Sequence, residues 1–171
     1  MAVRVALLRA VNVGGTGVLA MDDLSRLCVE IGLRSPRTYL ASGNVVFDSD
    51  DGEAAIKTAL EQGLARHMGT PVDVLIRNAA EMAAVLDGNP FPGADPRRTV
   101  AIFLDAPPPP DLLDGVTGRQ GEEIRPGRRE IYVHYGDGMA RSRLRIAAAA
   151  KGTARNMNTV ARLSAMATSR P

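Results

Sequence analysis

Arginine, asparagine, serine and glycine gather in two parts of this chain, and an apolar core has little use for any of them. Near the N-terminus, Arg9-Ala10-Val11-Asn12-Val13-Gly14-Gly15 follows a run rich in Val and Leu, and Thr38-Tyr39-Leu40-Ala41-Ser42-Gly43-Asn44 comes soon after. Near the C-terminus stand Arg141-Ser142-Arg143 and Arg155-Asn156-Met157-Asn158-Thr159. The chemistry these side chains do best is to hold an anion. Arginine offers a planar, bidentate donor fork to phosphate or carboxylate. Glycine N–H groups ahead of a helix can cradle negative charge. The candidate ligand residues are Arg9, Asn12, Gly14, Gly15, Ser42 and Asn44 on one wall. Arg141, Ser142, Arg155, Asn156, Asn158 and Thr159 form the other, in a polar pocket expected between two halves of the chain. A plainer account competes. Asn and Ser at strand ends usually satisfy turn groups, and Asn158 makes a good cap for the last helix without any ligand.

Other chemistries find no complete motif. Gly15-Thr16-Gly17-Val18-Leu19-Ala20 formally matches a relaxed dinucleotide pattern. A true site needs a parallel βαβ unit with an acidic residue ending its second strand, and neither is expected here. No Gly-Lys-Ser or Gly-Lys-Thr phosphate loop occurs. His67 and His134 have no Cys or acidic partner at metal-ligand spacing. His67 reads as a helix-surface residue, and His134 as facing outward from a strand. Cys28 falls on an apolar helix face and reads as core. No general base with a partner can be named, so catalytic residues remain unassigned, and no metal or cofactor is expected.

These residues need a frame. Val3 to Leu8 reads as a buried strand, and Asp22 and Asp23 suit the start of a helix through capping and the macrodipole. Leu24, Leu27, Cys28 and Ile31 recur at helical spacing, with Gly32 at the stop. After Pro36, strands over Arg37–Ala41 and Val45–Phe47 lie too close in sequence for a crossover and should form a hairpin. A helix with Ile56, Ala59, Leu60, Leu64 and Met68 on one face ends at Gly69, and Val72–Ile76 is the fourth strand. The order β-α-β-β-α-β is the ferredoxin-like pattern. Asn78 and Glu81 resemble a capping box ahead of the next helix.

The fold class expected is therefore α+β: a ferredoxin-like N-terminal half packed with a smaller, loosely similar α+β C-terminal half. Residues 1–88 form the first half and 99–171 the second, with 89–98 connecting them, or the whole is one continuous unit. In the second half Thr99–Leu104 is a strand, Pro107–Pro110 a stiff loop and Asp111–Val116 a short helix. Strands flank the turn Pro126-Gly127, and helices are expected over Arg141–Ala150 and from Asn158 onward. The strand-helix-hairpin-helix order recurs loosely, without a repeated stretch of sequence to mark a duplication.

Of 171 residues, 45% are hydrophobic and 23% charged, the proportions of a globular protein. With one cysteine no intrachain disulfide can form, and no signal peptide or membrane-length apolar run is present. These features point to the cytoplasm. The net charge of +2 hides an asymmetry. Residues 1–118 hold 10 Lys+Arg against 15 Asp+Glu, whereas residues 119–171 hold 11 against 4. Almost all the positive charge is arginine. A general compositional preference explains much of that excess, but not its clustering after residue 118.

The two signatures and the Met21-Asp22-Asp23-Leu24 between them resemble an uncharacterised bacterial family, domain of unknown function 1697. So do Arg37 to Phe47, Gly138-Met139-Ala140-Arg141-Ser142-Arg143-Leu144 and Arg155 to Val160. The family usually has Gly at Ala10, Gln at Ala41, Lys at Arg143 and Trp at Met157. The resemblance implies an α+β fold with ferredoxin-like parts and no established activity. Two functional readings follow. One is binding of a phosphate-bearing small molecule or nucleic acid in the polar pocket, with no membrane involved. The other is a protein-interaction or homodimerising module in which the polar signatures are caps and turns. Oligomeric state is left open.

Overall fold

The computed structural model describes residues 2–14 and 17–169. The chain divides into two compact units, Met1–Met82 with Leu163–Pro171, and Ala83–Arg162. It passes from one to the other inside two helices, since Met82 and Ala83 both lie in α3 (Ala79–Asp87) and Arg162 and Leu163 both lie in α4 (Met157–Thr168).

The first unit follows the expected order: β1 (Ala2–Leu8), α1 (Met21–Glu30), β2 (Arg34–Thr38), β3 (Asn44–Ser49), α2 (Glu53–Met68) and β4 (Val74–Asn78). Its strands lie in the order β2-β3-β1-β4, each antiparallel to its neighbour. Period-2 alternation sends Ala6, Leu8, Val45, Phe47, Val74 and Ile76 to one face. There they meet Leu24, Leu27 and Cys28 of α1 and Ile56, Leu60 and Leu64 of α2. The opposite face is buried as well, through Val5, Leu7, Val46 and Leu75. Arg37 of β2 donates to the carbonyls of Met166 and Ser169, satisfying acceptors that the end of α4 leaves without intrahelical partners.

Several local expectations shift. Strand β2 begins at Arg34, so Pro36 sits inside it rather than before it. An edge strand tolerates proline because one side of its backbone needs no ladder bond, and the register slips between Arg34 and Arg37. Strand β4 starts two residues later than its apolar run, at Val74. Asp22 and Asp23 occupy the first turn of α1 but do not cap it; the cap position is Ala20, and the two carboxylates act through the helix dipole. The Asn78–Glu81 box is present in full. Glu81 N–H donates to Asn78 Oδ1 at 2.7 Å, and Asn78 N–H donates to Glu81 Oε1 at 2.9 Å.

The second unit is built on β5 (Thr99–Phe103), β6 (Val116–Thr117), β7 (Glu123–Pro126), β8 (Glu130–His134), β9 (Arg145–Ile146) and β10 (Thr153–Asn156). Its main sheet runs β10-β5-β8-β7, again antiparallel throughout, and β6 pairs with β9 in a separate ribbon. Strand for strand this repeats the first sheet. One row across the first reads Arg37–Val46–Val5–Arg77, and its counterpart reads Arg125–Tyr132–Ala101–Arg155. The layer over the sheet differs. Where the first unit has α1 and α2, the second has 3₁₀ turns over Leu112–Gly115, Gly136–Arg141 and Ala147–Ala149 together with the ribbon.

The helix expected over Arg141–Ala150 does not form. Leu144 and Ile146, two residues apart, both pack on the core of Val100, Ile102, Ile131 and Val133. A helix would turn that pair about 200° apart, whereas an extended chain turns both inward. The short helix expected over Asp111–Val116 forms as a 3₁₀ turn over Leu112–Gly115, with Leu112 buried. His134 does not face outward freely. Its ring lies 5.7 Å from that of Phe91, and its Nδ1 is 3.3 Å from Thr99 Oγ1.

Candidate functional site

The N-terminal candidates cluster where β1 ends. Asn12 adopts φ 56°, a left-handed conformation that Asn tolerates better than most residues. Its Nδ2 donates to the carbonyls of Leu19 at 2.8 Å and Ala41 at 2.7 Å, and its Oδ1 accepts from Leu19 N–H at 2.6 Å. One side chain therefore ties the β1–α1 loop to itself and to the turn between β2 and β3. Buried Asn44 braces that turn, donating to Tyr39 O at 2.7 Å and to Ser42 Oγ at 3.1 Å. Gly43 has to be small: a Cβ there would sit 2.8 Å from Leu8 Cβ and Val11 Cγ2, and its φ is +94°. The same preference touches Ala10, which holds φ 57° where the resembled family usually has glycine. Arg9 lines a pocket of about 250 Å³ with Val11, Met68, Pro71 and Asp73. Gly14 is exposed, and Gly15 lies outside the described residues.

The C-terminal candidates belong to the second unit, and they divide in two. Arg155, Asn156 and Thr159 surround the junction of β10 and α4. Arg155 is 8% exposed, and its Nη1 donates to Thr153 Oγ1 at 2.9 Å and to Ala154 O at 3.0 Å. Burial in a medium that solvates charge poorly brings its pKa down to about 10. The cap of α4 is Asn156, not Asn158: Thr159 N–H donates to Asn156 Oδ1 at 2.9 Å, three residues on. Asn158 is exposed within the first turn. The junction of β4 and α3 is made the same way. Arg77 there is buried, its Nη1 donates to Ile76 O at 2.9 Å, and Asn78 is the cap. The Arg-Asn pair at 77–78 and at 155–156 thus plays the same local part at both strand–helix junctions.

Arg141 and Ser142 belong to a different place, the segment leading into the β6–β9 ribbon. From 141 to 147 exposure alternates, with Arg141, Arg143 and Arg145 out and Ser142, Leu144 and Ile146 turned in. Ser142 donates to the carboxylate of Glu122, a residue 3% exposed, which also accepts from Gln120 N–H. The Ser142 hydroxyl first, and the Gln120 N–H second, hold the Glu122 carboxyl below the usual range. Arg119 Nε donates to the Glu122 carbonyl at 2.6 Å. Gly118 lets the two chain segments close, since a Cβ there would lie 2.2 Å from the Arg143 carbonyl oxygen. Among the described residues, none gives the side chain of Arg141, Arg143 or Arg145 a hydrogen bond or an ion pair, although the backbone of Arg141 closes a 3₁₀ turn and that of Arg145 pairs in the ribbon.

Beside this row opens a pocket of about 530 Å³, lined by Tyr135, Leu144, Arg145, Ile146, Thr117 and Ala150 among others. That size is within the range of small-molecule sites. Burial, and then the charge of Glu122, raise the Tyr135 phenol above its ordinary pKa, so it remains a neutral donor. Sequence reading missed Glu122, Tyr135 and Arg145. The signal was present in Arg141-Ser142-Arg143-Leu144-Arg145-Ile146, a strict charged–uncharged alternation with the period of an extended strand. No group of three or more His, Cys, Asp or Glu side chains able to hold a metal ion occurs among the described residues. No helix among them is long and apolar enough to cross a membrane.

The chain belongs to the family described as "Protein of unknown function (DUF1697)", whose match covers residues 1–132. No curated protein matches it. Among solved structures it is similar to a conserved bacterial protein of Streptococcus pneumoniae. That likeness has a TM-score of 0.77 at 19% identity and covers 98% of this chain and 99% of the other. At that identity the likeness speaks for the fold.

Proposed function

We propose that this family member binds a phosphate-bearing ligand through the arginine row of its second unit. The observation that carries the reading is the alternation of Arg141, Arg143 and Arg145, all exposed and none paired among the described residues. Unpaired arginines that alternate with inward-turned residues, from the end of a 3₁₀ turn into β9, are poor contributors to folding and good receivers of phosphate oxygens. Ser142 serves the site indirectly, through Glu122, by fixing the segment that carries the row. Asn12, Ser42 and Asn44 frame the first unit's loop, with Arg9 and Gly14 at its surface. Arg155, Asn156, Asn158 and Thr159 form the β10–α4 junction. In this proposal neither set touches the ligand.

Calorimetric titration with inorganic tripolyphosphate at low salt tests the reading. The wild-type chain should bind, and the triple variant Arg141→Ala/Arg143→Ala/Arg145→Ala should not, while its thermal unfolding stays unchanged. Equal binding by both chains would remove the row from the function.

A second reading, a docking module, draws on Val13, Val18 and Leu40, which are 53%, 85% and 50% exposed. All three lie on the loop and turn that Asn12 joins. A monomer in light scattering at every accessible concentration would count against its homodimeric form.

A further inference from the structure

Resting on that reading of the arginine row, we infer that the ligand is a single-stranded nucleic acid. Its backbone would run along Arg141, Arg143 and Arg145, and one unstacked base would enter the pocket lined by Tyr135. Two features of one place lead to this. The row is too long for a single phosphate group. Alternate residues of an extended chain lie about 6–7 Å apart, and the row spans two such steps, from Arg141 at the end of a 3₁₀ turn to Arg145 in β9. A ligand that meets all three arginines carries several phosphates in succession. The second feature is the pocket of about 530 Å³ that opens at Arg145 itself. Leu144, Ile146 and Ala149 give it an apolar lining, and among the described residues Tyr135 is the only aromatic that lines it.

A charged rail beside a cavity with an aromatic wall is how sequence-tolerant single-strand binding works. Arginines follow the backbone, and a ring stacks on the face that every base has. A duplex keeps its bases stacked and paired and has none to offer such a cavity. The carboxylates near the site are largely accounted for. Glu122 is buried and engaged with Ser142 and Gln120, and Asp137, in the turn that ends at Arg141, pairs with Arg98, which leaves exposed Asp114 beside the pocket-lining Gly115. A free nucleotide would fill the pocket but would reach Arg145 and leave Arg141 unused.

Fluorescence anisotropy of the full chain with labelled oligo(dT) and oligo(rU), with a blunt duplex as comparison, tests the inference. Tripolyphosphate titration runs beside it. Wild type should bind the single strands and bind the duplex at least tenfold more weakly. A plot of log affinity against log salt should have a slope of about −2, for three backbone contacts on a single strand. Tyr135→Leu keeps an apolar side chain in place but removes the stacking face. It should weaken single-strand binding by about 5- to 150-fold, the range of one base–aromatic stack, and leave tripolyphosphate binding intact. Ala150→Phe, on the exposed rim, should weaken it by obstructing the pocket even if Tyr135→Leu folds poorly. If tripolyphosphate binds through the row but single strands bind no better than the duplex, the nucleic-acid inference is wrong and the anion site stands. The same follows if both pocket variants bind like wild type. If neither polyphosphate nor oligonucleotide binds, both fail.

Discussion

Replacing Asn12 with alanine isolates what that residue does. Its side chain makes three hydrogen bonds, two as donor and one as acceptor, to backbone groups in two segments. A protein hydrogen bond contributes about 1 kcal/mol net, and less where water can replace the lost partner. Because Asn12 is half-buried, the three together are worth about 1.5–3 kcal/mol. Alanine also loses the tolerance of Asn for φ 56°, which adds about 1 kcal/mol. Asn12→Ala should therefore cost about 2.5–4 kcal/mol, and Asn12→Gly about 1 kcal/mol less, because glycine recovers the backbone term alone. For a chain of this length each kcal/mol lowers the midpoint by about 2–4 °C. Equilibrium urea unfolding followed by circular dichroism, with unchanged m-values, reads the difference directly. Asn12→Asp sharpens the test. It keeps the acceptor for Leu19 N–H but turns an oxygen toward the Leu19 and Ala41 carbonyls. It should be destabilising at neutral pH and recover in mild acid, where the protonated carboxyl can donate again. The folded carboxyl would have a raised pKa, so its penalty is present above that pKa and fades below it. An Asn12→Ala chain within about 0.5 kcal/mol of wild type, the ordinary range of surface substitutions, would refute the bracing role.

Two further outcomes follow from local geometry. Asn156→Ala should destabilise the protein by about 1 kcal/mol, as loss of a helix cap does, whereas exposed Asn158→Ala should change it by less than about 0.5 kcal/mol; thermal melts of the two variants separate them. Cys28 is fully buried and its thiol is raised to about 12, so native protein at pH 8 should resist iodoacetamide and label at the rate of its opening or unfolding. Prompt labelling under native conditions would contradict the packing of α1.

Much of the first unit was legible because its signals are local and agree with one another. Val3 to Leu8, the apolar faces of α1 and α2 and the Asn78–Glu81 box each name an element through periodicity or capping within a few residues. The second unit was read less well for a related reason. Arg141 to Ala150 has helix-forming residues, but propensity is weak beside the gain from turning both Leu144 and Ile146 onto the sheet. The choice between Asn156 and Asn158 as cap likewise turned on where β10 stops, and pairing with β5 sets that limit.

The sequence by itself determined the family, the α+β class, the order of elements in the first unit and the concentration of arginine after residue 118. These depend on residue type, spacing and composition, which survive without a third dimension. Only the tertiary structure decided that the second sheet repeats the strand order of the first, because pairing partners far apart in the chain leave no local periodicity. It alone also distinguished the arginines. Arg155 is buried and bonded to its own strand, while Arg141, Arg143 and Arg145 stand in solvent beside a pocket. Identical side chains differ there only in what surrounds them, and burial and partners are set by the packing of distant segments.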